Sequence, residues 1–555
     1  MGNESRRTRA TTRRRALVLL VALVVAPLVL LAVTFAAQYA RHARAGSPCV
    51  ENTHFTRTLT NGGLPIVYRF TQDCDWTMPS GVTKGDILLV GGGGGGGPDG
   101  GSGGGGGEMR ASASPTSVVS PILIDIGAGG GGGAWGVSAA IGSDSTLNWS
   151  SAIQYRAKGG SNGGGWDGNG PTGGSGGTGG TGGTGGTGGT GGTGGNGTAG
   201  GAGGKGPSAS CNYVGYGLAG SNGPTSSITG TSTNYGGGGG GGIGITSNNG
   251  TSGYSVNVGA IAGGSGGGGA SGFYQTGGSA RAYNASHGTA NTGGGGGSGV
   301  ACDSQGYSGF GVDRAGTSGT DPQGLNGPGQ RTRGGNGGSG VFVFRTGAAP
   351  TISSQPAATS VTHGSTATFS VTASVSYSET LTYQWQKAES TATSSWSDIS
   401  GATSASYTTA ATTSSTDNGD LYRVVTTSTV DSASSTTTSS SATLTVVPAV
   451  TSMAFTSNAG ADNTYKAGDV VSVTVGFSES VAVTGTPRIP LQGLTSKYAT
   501  YGSGSGTSSL VFNYTVVSGD NDTDGLSISA NALELNAGTI KSGSNNATLT
   551  HSAIT

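Results

Sequence analysis

The chain has 555 residues, of which 118 are glycine and only 9% are charged, and its 26 basic residues balance its 26 acidic ones. Such a neutral composition lacks the basic stripe of a nucleic-acid-binding protein, so we expect no nucleic-acid partner. It is also unlike the composition of a soluble cytosolic enzyme.

The first 45 residues have the features of an export signal. An arginine-rich head (1–15) precedes an apolar segment (16–37) of 22 residues. A helix crosses a bilayer with about 20 residues, so the segment predicts a transmembrane helix. A cleaved signal peptide is the alternative, because Ala43-Arg44-Ala45 fits a signal-peptidase site. In both cases the rest of the chain is expected at the cell surface or outside the cell, and contact with the membrane requires that the helix be retained.

Four cysteines follow this segment: Cys49, Cys74, Cys211 and Cys302. In an exported chain, an even number of cysteines predicts disulfides. Four thiols allow three pairings, and our preferred one joins Cys49 to Cys74 and Cys211 to Cys302. Metal ligation is the alternative, but no CxxC motif or Cys/His cluster favours it.

Region 46–348 holds most of the glycines. Strand-like segments at 66–70 and 86–90 come first, and the second runs directly into a glycine block that starts at Gly91. A glycine run has no side chain to bury, so only backbone hydrogen bonds can order it. Threefold helices of the polyproline II kind lack internal hydrogen bonds and direct their N–H and C=O groups sideways. We therefore predict a small β-sandwich that carries a bundle of polyglycine II helices.

The stretch 70–90 (FTQDCDWTMPSGVTKGDILLV), the polyglycine after it and the closing GGNGGSGVFVFR resemble the glycine-rich domain of many bacterial surface proteins. They are similar, more distantly, to the glycine-rich domain of the anaplastic lymphoma kinase ectodomain. The resemblance implies hexagonal bundles of polyglycine II helices on a β-sandwich.

A Gly-Gly-Thr repeat inside this region places threonine at every third position. With three residues per turn and a rise of about 3.1 Å per residue, the threonines would form a straight row about 9 Å apart. The row consists of Thr178, Thr181, Thr184, Thr187, Thr190 and Thr193. One interpretation is a solvated edge or a linker. The other is a flat recognition face for ice, a glycan or a wall polymer.

Region 349–448 loses the glycine bias, and its apolar residues alternate as in half-buried strands. Three strings resemble a bacterial immunoglobulin-like domain: YQWQ, WSDISGATSASY and DNGDLYRVV. The resemblance implies that Trp385 is the core tryptophan and Tyr422 the tyrosine-corner residue. Val371 and Val424 stand where the antibody fold has its inter-sheet cysteines, so apolar packing must hold this sandwich together.

Region 449–555 alternates again over 470–477, 510–516 and 526–528, which predicts a further β-sandwich. From Met453 onward it resembles a tandem β-sandwich repeat of bacterial surface adhesins. The predicted fold is therefore mainly β: a sandwich with a glycine bundle, then two immunoglobulin-like sandwiches.

Asp520, Asp522 and Asp524 alternate before Gly525, an arrangement that can wrap a calcium ion. It is not an EF-hand, because the twelfth position is Asn531 and the flanks are strand-like. A polar β-turn is the alternative interpretation.

No catalytic motif is recognisable, because the histidines lack metal or triad spacing and the GxGxxG matches follow from composition alone. The preferred function is that of a non-enzymatic structural or adhesion protein of the cell surface. Its partners would be glycans, wall polymers or other cell surfaces. The alternatives are an exported polysaccharide-acting enzyme or its binding module, and an ice- or polymer-binding protein that uses the threonine row.

Overall fold

The computed structural model describes residues 47–60, 63–98, 101–112, 114–134, 137–148, 153–164, 215–216, 218–244, 260–272, 274–275, 281–282, 284–301, 325–326, 333–392, 394–461, 464–522 and 525–555. The predicted head (1–15) and the predicted transmembrane or signal helix (16–37) lie outside these residues. Within the described part, no helix is both long and apolar enough to span a membrane. The chain divides into two compact units, Met1–Asn61 with Pro65–Thr346, and Gly62–Leu64 with Gly347–Thr555.

The first unit consists of short strands and glycine segments. Its strands are β1 (Phe55–Thr60), β2 (Gly63–Phe70), β3 (Cys74–Trp76), β4 (Lys84–Val90), β5 (Met109–Ala111), β6 (Thr116–Ser117), β7 (Ile122–Asp125), β8 (Ser145–Asn148), β9 (Ile153–Ala157), β10 (Gly215–Tyr216), β11 (Thr225–Ser226), β12 (Thr233–Asn234), β13 (Ile243–Gly244), β14 (Tyr274–Gln275), β15 (Arg281–Ala282), β16 (Val300–Ala301), β17 (Leu325–Asn326) and β18 (Val341–Thr346). One sheet has the order β1-β2-β18-β4-β5, with β6 also paired to β4, and a second has the order β3-β7-β8-β9.

An aromatic core joins these two sheets. The Trp76 ring of β3 packs against Tyr68 and Phe70 of β2, with ring centroids 5.0 and 4.9 Å apart. It also meets Phe344 of β18 edge-on at 5.3 Å. All four side chains are buried. Aromatic pairs at such distances contribute about 0.5–1.5 kcal/mol beyond the area they bury, so Trp76 holds one sheet against the other.

The disulfide predicted between Cys49 and Cys74 is confirmed, with a Cα–Cα distance of 4.9 Å. Cys74 is buried at the start of β3, two residues before Trp76. The bond therefore ties the first described residues to the aromatic core. Cys211 and Cys302, the other predicted pair, lie outside the described residues.

The glycine segments begin and end at strand ends. Segment 91–97, called the central segment below, directly follows β4, and segment 334–340 leads directly into β18. Ser145 fixes one of these transitions: its hydroxyl donates to the carbonyl of Val90 (2.7 Å) and accepts from the N–H of Gly127 (2.8 Å). The sandwich thus sets where the glycine segments start.

Every N–H of the central segment donates sideways to another segment. The acceptor changes with a period of three, so that every third residue donates to the same neighbour: Gly91, Gly94 and Gly97 to 102–108, Gly92 and Gly95 to 140–143, and Gly93 and Gly96 to 335–338. The N···O distances are 2.8–3.0 Å. These are good hydrogen bonds, and they leave no N–H of this buried segment without an acceptor.

The carbonyl groups of the central segment repeat the pattern toward three further neighbours. Those of 92–97 accept N–H groups from 160–163, 130–133 and 296–299, again at every third residue. The central segment is therefore surrounded by six segments, three that accept its hydrogen bonds and three that donate to it.

A second segment, 293–299, is surrounded in the same way. It exchanges backbone hydrogen bonds with six segments: 91–97, 101–107, 236–242, 268–272, 285–289 and 334–340. The two segments contact each other directly through the bonds from Gly296 to Gly94 and from Gly299 to Gly97. The described segments therefore form a continuous lattice of backbone hydrogen bonds, called the glycine bundle below.

The second unit begins with a sandwich whose elements are β19 (Thr351–Ser354), β20 (Thr359–Thr362), β21 (Thr368–Ser370), β22 (Thr372–Ser374), β23 (Thr380–Ala388), β24 (Ser397–Asp398), β25 (Ser406–Thr408), α1 (Ser414–Asp417), β26 (Leu421–Val430), β27 (Ala433–Thr438) and β28 (Ala442–Val447). Its main sheet has the order β20-β28-β26-β23-β24, with β27 also paired to β26. Strand β20 runs parallel to β28, and the pairs β19-β22 and β21-β25 complete the sandwich.

The core of this sandwich matches the residues expected from the sequence. Trp385 is completely buried, and its indole N–H donates to the carbonyl of Ser404 (3.0 Å). Tyr422 stacks on Phe369 with ring centroids 4.5 Å apart. Val371 and Val424, which replace the cysteines of the antibody fold, are buried in the same cluster. An immunoglobulin-like sandwich held by apolar packing is therefore confirmed here.

The remaining strands form the terminal sandwich: β29 (Val450–Phe455), β30 (Val470–Thr484), β31 (Arg488–Pro490), β32 (Tyr498–Ser503), β33 (Thr507–Thr515), β34 (Thr539–Ser542) and β35 (Asn545–Asn546). Strand β30 is longer than the predicted 470–477, because it pairs first with β29 and β33 and then, after a register shift, with β34. The expected strand at 526–528 is wrong. Ser527 and Ile528 pair singly with different segments, at Gln492 and Ile554.

The glycine bundle leads to a prediction about side-chain tolerance. A Cβ on Gly95 would overlap the carbonyl oxygen of Gly131, whereas a Cβ on Gly131 itself would meet open space. We expect Gly95→Ala to destabilise the first unit by about 3 kcal/mol, because the backbone must move apart. Unfolding in guanidinium, with amide exchange as the readout, would measure this change in the free energy of unfolding.

The matched control is Gly131→Ala, which we expect to change stability by less than about 1 kcal/mol. Equal stability of the two variants would contradict the close backbone packing described above.

Candidate functional site

The predicted calcium site begins at Asp520, whose carboxylate already has three partners. Oδ2 accepts the hydroxyl of Tyr514 (2.5 Å) and the N–H of Val517 (2.9 Å), and Oδ1 lies 3.5 Å from Nζ of Lys497. The bond from Tyr514, supported by the bond from Val517 and the charge of Lys497, lowers the pKa of Asp520. This carboxylate therefore organises the turn after β33.

Of the other two predicted ligands, the structure describes Asp522 but not Asp524. Asp522 accepts the N–H of Gly525 on Oδ1 (3.2 Å), a bond typical of a polar turn. Asp524 lies outside the described residues. Within the described ranges, no three His, Cys, Asp or Glu side chains are grouped so that they could hold a metal ion. Calcium binding at Asp520, Asp522 and Asp524 thus stays a prediction, and the bonds seen at the first two are those of the turn interpretation.

The threonine row from Thr178 to Thr193 lies entirely outside the described residues, so its role as a recognition face also stays a prediction.

An ion pair between a half-buried lysine and a buried aspartate of the immunoglobulin-like sandwich was not predicted from the sequence. Nζ of Lys387 lies 2.6 Å from Oδ2 of Asp420 and 3.5 Å from Oδ1 of Asp417. The Asp420 side chain is completely buried, and its Oδ1 also accepts the N–H of Ser390 (2.9 Å). The only sequence signal was the position of Lys387 two residues after Trp385, which places it opposite Tyr422 in the sheet.

The charges of this pair stabilise each other. Burial lowers the pKa of Lys387, but the hydrogen bond to Asp420 and the nearby acidic groups outweigh burial, so its pKa is raised overall. The lysine therefore stays charged and unsuited to act as a base or nucleophile near neutral pH. Its role is structural, because it ties the turn α1 to strand β23.

The second tryptophan of this sandwich, Trp396, lies on the outer face of the main sheet. The guanidinium of Arg423 covers its ring at 4.0 Å and donates to Oε1 of Gln386 (2.8 Å). Nε2 of Gln386 in turn donates to Oδ1 of Asp398 (2.8 Å). Because the arginine occupies that ring face, a sugar could not stack on it without displacing the cation.

Tyr422 leads to a prediction about alkaline stability. Burial, partly offset by Lys387, raises the pKa of Tyr422 from 10.0 to about 12. The unfolded chain loses this proton near pH 10 while the folded state keeps it, so stability falls as the pH rises from 10 to 12. We expect Tyr422→Phe to reduce that fall by about 1 kcal/mol, after allowance for solvent screening, in urea unfolding across this range.

The control is the same change at Tyr383, a half-buried residue of β23. If stability fell as much between pH 10 and 12 in Tyr422→Phe as in Tyr383→Phe, ionisation of Tyr422 would not be the cause of the fall.

Asp520 leads to a second prediction. We expect Asp520→Asn to lower the unfolding temperature by roughly 2–4 °C, because Tyr514 and Val517 lose a charged acceptor. The decrease should be the same in a chelator and in millimolar calcium. A rise in unfolding temperature with calcium that the variant abolishes would instead establish the metal site.

No protein-family model matches this sequence, and no curated protein matches it. Solved structures do match, and those most similar include immunoglobulin domains 1–5 of Sidekick-1 (14% identity, TM-score 0.20), over 41% of this chain and 45% of that one. This chain thus spans less than half of the Sidekick-1 structure.

Two titin structures match over 38% of this chain and 95% of theirs, each with 17% identity and a TM-score of 0.13. One is a chimeric titin Z1Z2 functionalised with an exogenous peptide from decorin, and the other is titin domains Z1Z2 in complex with telethonin. These neighbours consist of immunoglobulin-like domains. The assignment of that fold to this chain rests on its own strand order and core.

Proposed function

We propose that this chain is a non-enzymatic, exported structural protein of the cell surface that acts as a spacer or in adhesion. The glycine bundle is, on this proposal, a set of polyglycine II helices carried by a β-sandwich. The two sandwiches of the second unit are immunoglobulin-like modules that would present the contact surface for a partner.

The period of three in the lateral hydrogen bonds supports the polyglycine II assignment. A helix with three residues per turn directs successive N–H groups in three directions, and its carbonyl groups likewise. Such a helix can therefore bond to six neighbours, which is the number found around segments 91–97 and 293–299.

The observation that carries the structural role is the interior of the bundle. Segment 91–97 is buried and uses each of its N–H groups in bonds to other segments. A Cβ on Gly93, Gly94 or Gly96 would overlap a neighbouring carbonyl oxygen. Such an interior has no side chain that could contact a substrate. Its backbone bonds instead make the bundle a stiff lattice.

The disulfide between Cys49 and Cys74 supports export, because structural disulfides persist in oxidising compartments. The apolar segment 16–37 and the basic head before it supply the signal expected from the sequence. The proposed partners are a glycan, a wall polymer or the surface of another cell. No observation on the described residues favours the polysaccharide-acting or the ice-binding alternative.

Protease treatment of intact cells that produce the protein would test the proposal. We expect peptides from 347–555 to be released without lysis, because the second unit would lie outside the cell. In hydrogen exchange, the amides of segments 91–97 and 293–299 should be protected in the parent protein and in Gly131→Ala, and should exchange faster in Gly95→Ala.

Release of the 347–555 peptides only after lysis would contradict export. Equal amide exchange of the glycine segments in the parent protein and in both variants would contradict the structural role of the bundle.

A further inference from the structure

The joint between the two sandwiches of the second unit is closely bonded. Strands β28 and β29 are separated only by Pro448 and Ala449. The carbonyl of Pro448 accepts the N–H of Thr548 (2.7 Å), and the carbonyl of Ala449 accepts the N–H of Ser478 (2.9 Å). The linker is thus bonded along its length to the terminal sandwich.

A chain of hydrogen bonds runs from this linker to a histidine of the immunoglobulin-like sandwich. The N–H of Ala449 donates to the hydroxyl of Ser478 (3.1 Å), which lies 2.9 Å from the hydroxyl of Ser414. Both the N–H and the hydroxyl of Ser414 contact Nδ1 of His363, at 3.1 and 3.3 Å. The chain crosses from one sandwich to the other at the two serines.

The N–H donors fix the direction of their hydrogen bonds in this chain. An N–H can only donate, so Nδ1 of His363 must be an acceptor, and the neutral ring carries its proton on Nε2. The hydroxyls of Ser478 and Ser414 can each donate or accept, so the directions fixed here are those of the N–H groups of Ala449 and Ser414. The bond that holds Ser414 at the joint thus depends on one unprotonated ring nitrogen, whereas a second contact between the sandwiches, between the hydroxyls of Thr362 and Thr548 (3.3 Å), does not.

We propose that His363 makes the immunoglobulin-like side of this joint acid-sensitive, so that α1, the turn whose Ser414 contacts the terminal sandwich, is held to His363 at neutral pH and released from it when the imidazole is protonated. Protonation places a hydrogen on Nδ1, where it faces the N–H of Ser414. The serine hydroxyls can reverse their direction, but that N–H cannot. Ser414 is 3% exposed, so its N–H then has no acceptor in the protein and little access to water.

The elements that meet at His363 also carry charged groups. Asp417 belongs to α1 with Ser414, and its carboxylate accepts the N–H of Thr413 (2.7 Å) and pairs with Lys387. Glu479 follows Ser478 on β30. Two acidic residues and one lysine therefore belong to the elements that meet here.

His551 provides an internal control in the terminal sandwich. Its Nε2 accepts the N–H of Ala532 (2.9 Å), and its Nδ1 contacts the carbonyl of Ser552 (2.7 Å). It is also a neutral acceptor, but its partners all belong to the terminal sandwich. A general effect of acid on histidines would therefore be visible at His551 as well as at the joint.

Hydrogen exchange of the full chain, corrected for the intrinsic effect of pH on amide exchange, would test the proposal. Because histidine changes charge between pH 5 and 8, we compare about pH 7.5 with about pH 5. We expect protection of the peptide containing Ser414 to fall roughly tenfold in acid, and protection of the peptide containing Ala449, whose N–H donates to Ser478, to change much less. His363→Asn keeps an acceptor at the position of Nδ1 but cannot be protonated there, so its protection should change less than about twofold.

His551→Gln, which keeps an acceptor at the position of Nε2, should leave the acid response of the joint intact. His363→Ala should show low protection at Ser414 at both pH values, which keeps the test decisive if asparagine does not fit. Unchanged protection of the parent protein in acid would overturn the proposal. An acid response in His363→Asn or His363→Ala as large as in the parent would do so too.

Discussion

The lateral hydrogen bond between glycine segments is the interaction on which the first unit depends. Each bond contributes about 1 kcal/mol net, while ordering one backbone residue costs about 1–2 kcal/mol, and glycine has the most freedom to lose. The two terms roughly cancel, so a glycine bundle is not stable by its bonds alone. The β-sandwich lowers the cost, because strands β4 and β18 fix one end each of segments 91–97 and 334–340.

Two kinds of packing meet in the sheet that contains β18. On one face, Phe342 and Phe344 pack in the aromatic core of the sandwich. On the other, Val341 and Val343 join a cluster that includes Tyr235, which directly precedes the glycine segment 236–242. The sheet is therefore buried on both faces. Its side chains supply the apolar burial that the glycine segments lack, at about 25 cal/mol per Å² of buried apolar surface.

Features that depend on local pattern could be predicted from the sequence. The glycine blocks after β4, the buried Trp385 and the apolar pair Val371 and Val424 all follow from periodicity or from a resemblance. Which glycine segments lie next to each other could not be predicted. A period of three indicates that a glycine helix can have neighbours on all sides. Because all these segments are mostly glycine, none of them specifies its partner. Likewise, nothing near Asp520 in the sequence indicates Lys497, because turn geometry brings them together.

The place of β18 in the sheet has a consequence for biosynthesis. This strand is the last of its unit in the chain, yet it lies between β2 and β4, and the central segment bonds to residues as distant as Gly338. Proteins dominated by such distant pairings fold slowly. A chain emerging N-terminus first can close neither the sheet nor the lattice until about 350 residues have appeared. The sheet that contains β18 and the glycine lattice are therefore completed late, and until then the aromatic residues of β2 and β3 lack the strand that covers them.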